Sequence, residues 1–165
     1  MAIRTIRVTP TLDTSAYAVG DVLFVGTEVT LPAKSCFLRG VQAVVKDTDG
    51  ASQEINLLFF QKNTTALGTI NATANISGAN LLANNYLGGT KLVGGAHGLD
   101  SAAIYNQQEL NDAGATVGGG VHGFCLEADP TDASNNHVVY VQGINTAGTG
   151  TYAASDLELI LTVEY

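Results

Sequence analysis

Apolar and polar residues alternate with a period of two along most of this chain, the spacing of strands that bury one face. The pattern is clearest at 155–165, where Leu157, Leu159, Leu161, Val163 and Tyr165 alternate with Glu158, Ile160, Thr162 and Glu164. That predicts a strand lying on a sandwich core with its Leu/Val row inward. IRTIRVT (3–9) predicts another, with Arg4, Ile6 and Val8 on one face and Ile3, Thr5, Arg7 and Thr9 on the other. Pro10 ends it, because proline has no N–H to give to a ladder. DVLFVGTEVTLP (21–32) predicts a strand bulged or bent at Gly26. CFLRGVQAVVKD (36–47) and EINLLFFQK (54–62) predict two more, paired as a hairpin across Asp49-Gly50, a dipeptide suited to positive φ in a tight turn.

The middle of the chain is less regular. Asn, Thr and Ala dominate 63–80, a composition of loops and exposed strands, and Ser77 is placed to cap a short helix over 77–84. YLGGTKLVGG (86–95) predicts a strand between glycine pairs. A strand around Ala102 to Tyr105 follows, then a turn or helical turn in NQQELNDAG, and the triple glycine 118–120 is too flexible for an element interior. VHGFCLEA (121–128) and NHVVYVQGI (136–144) predict strands joined by the turn-rich DPTDASN. About eight strands with one or two short helical turns at most make an all-β, two-sheet sandwich, jelly-roll-like, in a single domain spanning 1–165. A chain this long buries enough surface to fold without a metal or disulfide staple.

Composition refines that picture. Only 13% of the residues are charged, against about 25% in an average soluble domain. Together with the 19 glycines, this suggests surface covered by subunit contacts. The net charge of −8 argues against nucleic acid as a partner, since that needs a basic footprint. All seven basic residues lie at or before Lys91, and positions 92–165 carry nine acids and no Lys or Arg. This is either an acidic, solubilising surface or a polarised molecule whose N-terminal part meets an acidic partner. No apolar run is long enough for a membrane span, and MAIRTIRVTP lacks the apolar stretch of a leader. Cys36 and Cys125 sit in apolar contexts and predict two buried free thiols, with a single bridge as the alternative.

No catalytic, cofactor or metal site follows from the motifs. Gly118, Gly120 and Gly123 fit a dinucleotide-type spacing, but a strand rather than a helix follows, and GGTK (88–91) reads as a turn. His97, His122 and His137 share no ligand spacing. If His122 and His137 face each other on adjacent strands near Cys125, they make a weak zinc or Cys–His candidate without an orienting third group. Asp47, Asp49 and Gly50 begin like a calcium loop without its downstream acid. Asp129, Asp132, Asn135 and Asn136 are the better cation candidate, against the ordinary role of Asp and Asn in turns. Asn63, Asn71 and Asn75 open glycosylation sequons of the kind that an Asn/Thr-rich loop produces by chance.

The segment TPTLDTSAYAVGDVL (9–23) resembles one that recurs in small virion-associated proteins of tailed bacteriophages. The likeness continues in outline through FLRGVQAVVKD (37–47), INLLFFQK (55–62), the Asn/Thr/Ala stretch with its short helix (70–84) and SDLELILTVEY (155–165). The chain departs from the pattern between 93 and 125, where it carries a Gly-rich insertion. The resemblance implies a non-enzymatic protein of the virion exterior, made in the host cytoplasm: a capsid decoration or cement protein that binds the major capsid protein as a homotrimer. It carries over no catalytic residues. With capsid exteriors often acidic, Arg4 and Arg7 are the expected capsid-docking residues. The alternatives are a tail or head-fibre module binding a receptor or glycan through 93–120, and a metal-dependent hydrolase using the 122/125/137 cluster or the acidic loop.

Overall fold

A computed structural model describes residues 1–46, 53–95, 102–111, 123–131 and 136–165. Among them the alternating segments form β1 (Ile3–Val8), β2 (Val22–Thr30), β3 (Ser35–Val45), β4 (Glu54–Phe60), β5 (Tyr86–Gly95), β6 (Ala103–Asn111), β7 (Phe124–Glu127), β8 (Val138–Ala147) and β9 (Leu157–Glu164). One helix, α1 (Gly78–Ala83), is capped as expected by Ser77, whose hydroxyl accepts from Asn80 N–H at 3.2 Å.

Every strand pair is antiparallel, and the order runs β1-β9-β3-β6-β5-β4-β8-β2, with β7 added beside β3. The pairs nest. β4 meets β5, β3 meets β6, β2 meets β8 and β1 meets β9, like one long hairpin folded over on itself. That nesting is the connectivity of a jelly roll. The four strands β1, β9, β3 and β6 form one sheet and β5, β4, β8 and β2 the other, joined along β5–β6.

The core lies between the two sheets. Leu157, Leu159, Leu161 and Val163 are fully buried, while Tyr165, expected with them, is 46% exposed beyond the end of β9. Leu38, Val41, Ala43 and Val45 of β3 lie in the same core as Ile55, Leu57 and Phe59 of β4 and Val139 and Val141 of β8. Phe124 crosses from β7 to stack edge-on with Phe59, ring centroids 5.5 Å apart. Its ring lies over the backbone of Gly88, where a Cβ would sit 2.8 Å from it. Gly143 is likewise covered by the Phe24 ring across the β2–β8 pair, with 2.2 Å left for a Cβ.

Three expectations are corrected. The segments 36–47 and 54–62 do not pair with each other, because β3 bonds to β9, β6 and β7 in one sheet and β4 to β5 and β8 in the other. Alternation tells which face is buried but not which strand is the neighbour, and the Asp49-Gly50 turn itself lies outside the described residues. The turn expected at 106–114 is strand as far as Asn111, because Asn106–Asn111 pairs with β5 through a register shift at Lys91/Leu92. GGTK lies inside β5 rather than in a turn. The bulge expected at Gly26 is present as a register shift between Phe24 and Thr27.

The segment 9–23 forms the corner between β1 and β2, and its side chains hold that corner together. Tyr17, 1% exposed, accepts from Asp13 N–H at 2.6 Å, donates to Leu23 O at 3.1 Å and packs edge-on against Tyr152. Asp21 accepts from Ala18 N–H, Gly20 turns with φ 94°, and the buried Asn145 donates to Ala18 O and Gly148 O. The corner is backed by the 63–77 loop, where Asn71 N–H donates to Val22 O and Val22 N–H to Ala72 O. That loop is pinned by Asn84, 1% exposed. Its Oδ1 accepts from Thr64 N–H and Thr65 N–H at 2.9 Å each, and its Nδ2 donates to Thr65 O at 2.7 Å. Asn84→Ala removes the side-chain partner of these part-buried backbone groups. It is expected to lower unfolding stability by about 1–3 kcal/mol in urea denaturation with little change in slope.

Candidate functional site

Two strands that end a rolled sheet without bonding to each other leave a seam. Here the seam lies between β1 and β2, the terminal strands of the order, whose Cα atoms approach within 8 Å of each other. A groove of about 500 Å³ runs along it, lined by Arg4, Thr5, Arg7, Glu28 and Thr30 among others.

The ladder phases fix which backbone groups of β1 and β2 turn away from their bonded neighbours. Ala2 and Tyr165 exchange both N–H···O bonds, at 2.9 and 3.0 Å. Alternation in an antiparallel pair then directs the N–H and C=O of Arg4, Ile6 and Val8 to β9, and those of Ile3, Thr5 and Arg7 away from it. On the other side Leu31 N–H donates to His137 O at 2.8 Å. Counting back in twos, Val29 and Thr27 bond to β8, and the main-chain groups of Glu28 and Thr30 turn outward.

The two expected docking residues both lie at this seam, on opposite faces of β1. Arg4 shares the face of the buried Val8 and projects at the mouth of the groove, where it forms no ion pair with a described residue. Arg7 points outward and pairs with Glu158 of β9. Beside it the outer face carries Ile3, Glu164 and Phe37 in one cross-strand row over β1, β9 and β3. Ile3 is 72% and Phe37 36% exposed, and Arg39 spans the row, pairing with Glu164 and lying 4.6 Å from the Phe37 ring centroid.

The other candidates separate. His97, His122, Gly118, Gly120, Asp47, Asp49, Gly50, Asp132 and Asn135 lie outside the described residues, as does most of the 93–120 stretch. His137 precedes β8 with φ 51°, whereas Cys125 lies on β7, which among the described residues bonds to β3, so these two are not on adjacent strands. Among the described residues no three His, Cys, Asp or Glu side chains gather as a metal site. Gly123 leads into a strand, and a Cβ there would fall 1.9 Å from Leu38 O, so close packing of β7 on β3 requires the glycine. Asp129 serves its own turn, accepting from Thr131 N–H at 2.9 Å and Thr131 Oγ1 at 2.7 Å, and pairs with Lys62 at 3.2 Å. Asn136 lies just ahead of β8, in none of these bonds.

The cysteines are both free, but only Cys36 is buried, so the expectation of two buried thiols is corrected at Cys125. Cys36 is opposite Leu126 and Cys125 opposite Phe37, which sends the two sulfurs to opposite faces of the sheet. No protein-family model and no curated protein matches this chain. What fold and seam define is a jelly-roll sandwich with an open, two-edged groove.

Burial pushes the Cys36 thiol above its ordinary range. One thiol per native chain, Cys125, is therefore expected to react with a disulfide reagent at neutral pH, and two after unfolding; Cys125→Ser should remove the native signal. Asp13 is held below the usual carboxylate range by donation from Ser15 N–H and its hydroxyl and from the Asn71 amide, and Asp129 by the Thr131 hydroxyl and N–H. Depressed folded values contribute stability that is present above about pH 4 and lost as pH falls through them. The Asp13→Asn/Asp129→Asn double variant is expected to show a smaller loss of thermal midpoint between neutral pH and about pH 3 than the parent chain.

Proposed function

We propose that this protein is a structural component of a tailed-phage particle, a decoration or cement protein that docks on the major capsid protein through the β1 side of its fold. The observation that carries the reading is the character of that side. On a chain of net charge −8, it joins the exposed Ile3 and Phe37 with Arg7 and Arg39, paired with Glu158 and Glu164, and with Arg4, which stands outside these pairs. Basic and apolar groups together suit an acidic, ordered protein surface, and a central apolar contact rimmed by charge is the anatomy of a specific interface. The resemblance of 9–23 to virion-associated proteins supports the same reading. A rigid two-sheet frame suits a cement role, because such a protein contributes by bridging neighbours and needs no reaction centre. Jelly rolls also serve unrelated functions, so the fold adds compatibility and not identity.

Mixing the purified protein with undecorated heads and sedimenting them tests this. Stoichiometric co-sedimentation, with a solution mass of three chains, is the expected result. The Arg4→Ala/Arg7→Ala variant is expected to bind heads at least tenfold more weakly, with a thermal midpoint close to the parent because both side chains are exposed. A protein that leaves heads undecorated, or a double variant that decorates them at parental affinity, defeats the respective claim.

A further inference from the structure

We infer that the β1/β2 seam is a strand-acceptor site, which takes up a single extended, acidic segment of a partner polypeptide between the two edges. This deepens the docking reading and rests on it only for the identity of the partner.

Three observations carry the inference. First, both walls of the groove are hydrogen-bonding edges. Ile3, Thr5 and Arg7 on one side and Glu28 and Thr30 on the other turn main-chain N–H and C=O groups away from their bonded neighbours β9 and β8, in the two-residue rhythm that an incoming strand reads. Second, the gap is slightly narrower than one inserted strand needs. Neighbouring strands lie about 4.8 Å apart, so a segment paired on both sides needs roughly 9.6 Å between the edges. At their nearest points β1 and β2 approach within 8 Å Cα–Cα, less than that width, with a groove of about 500 Å³ along them, so taking up one chain requires the seam to open. The edge of a second folded copy brings a whole sheet with it, and each wall hinders its approach to the other. Third, the charge at the mouth is set for an acid. Of the charged side chains lining the groove, Arg7 pairs with Glu158, while Arg4 on the inner face of β1 and Glu28 on β2 have no ionic partner among the described residues. An inserted segment placing Asp or Glu on the inner face beside Arg4 meets this cation, while a basic segment meets the like charge.

The inserted strand would bond to β1 and β2 at once and turn the open roll into a closed barrel. Strand addition therefore protects a defined set of amides, which binding through side chains alone does not.

The test uses the full-length protein and a synthetic peptide of alternating valine and glutamate, with a valine–lysine peptide as control, followed by amide hydrogen exchange. The valine–glutamate peptide is expected to slow exchange at least tenfold at Ile3, Thr5, Arg7, Glu28 and Thr30, leaving Arg4, Ile6, Val8 and Val29, already in ladders, nearly unchanged. Thr5→Pro removes one outward N–H while sparing the bonds to β9, and is expected to weaken peptide binding at least tenfold. Arg4→Glu should reverse the preference between the two peptides. No protection at millimolar peptide, or protection that ignores the seam, overturns the site. Equal binding of both peptides overturns the acidic partner. Outward amides already protected in the free protein, increasingly so with concentration, would give the seam to a second copy and overturn the partner segment. Capsids do not enter this experiment, so strand acceptance and head binding can fail separately.

Discussion

Strand β9 lies between β1 and β3 with Leu157, Leu159, Leu161 and Val163 turned into the core, and much else in the structure follows from burying that row. Each such side chain contributes about 1.5–3 kcal/mol relative to exposure. A one-residue slip of β9 would exchange the row for Glu158, Ile160, Thr162 and Glu164, placing two carboxylates in an apolar interior. The register of β9 is therefore strongly fixed, and through the β1–β9 ladder so is the phase of β1. That phase decides that Thr5 and Arg7, and not Arg4 or Ile6, turn their main-chain groups away from β9, along the open edge. A core constraint on one strand thus sets the chemistry of an edge on the next.

The seam follows from the same economy of pairing. The two sheets are continuous where β5 bonds to β6, so on that side no edge is left over. The nested order then necessarily ends in β1 and β2, and the corner 9–23 brings these ends together. The residues that carry the phage-protein resemblance are corner residues. Leu12 and Tyr17 are buried, Asp13 and Asp21 accept main-chain bonds, and Gly20 supplies a positive φ. Such a motif serves an architecture, the approach of β1 to β2.

This separation explains what was legible in the sequence. Period-two alternation located most of the strands and the inward row of β9, Ser77 announced the helix, and Gly26 the bulge. Pairing partners were not legible, because a strand with one apolar face fits any neighbour offering the same face; hence β3 and β4, adjacent in sequence, lie in different sheets. The polar stretch after Tyr105 gave no alternation to read, and its strand character comes from pairing with β5. Cys125 was misjudged because its neighbours Phe124 and Leu126 are buried, and in a strand that places Cys125 on the opposite face. Arg4 and Arg7 stand out by charge, but the main-chain groups of Thr5, Glu28 and Thr30 that turn away from β9 and β8 have no sequence signal at all. They emerge only once the strand order shows which edges stay open.

Exposed edges invite indiscriminate pairing, and proteins blunt them with charge, proline and bulges. All three devices are present here: Arg4 and Arg7 on β1, Glu28 on β2, Pro10 beyond β1, and the register shift at Gly26. These devices discriminate as well as protect. A charge beside an edge repels a like-charged strand and attracts its opposite, so the same arginine that discourages self-pairing selects an acidic segment. Self-pairing across two β1 edges in antiparallel register would bring arginines of both copies together, whereas an acidic arm would relieve Arg4. The distinction between a protected edge and a selective one then rests on whether the cation is already satisfied within the fold. Arg7 is, through Glu158, and Arg4 has no such partner among the described residues, so of the two it is Arg4 whose charge is left for a partner's carboxylate in the proposed strand-acceptor site.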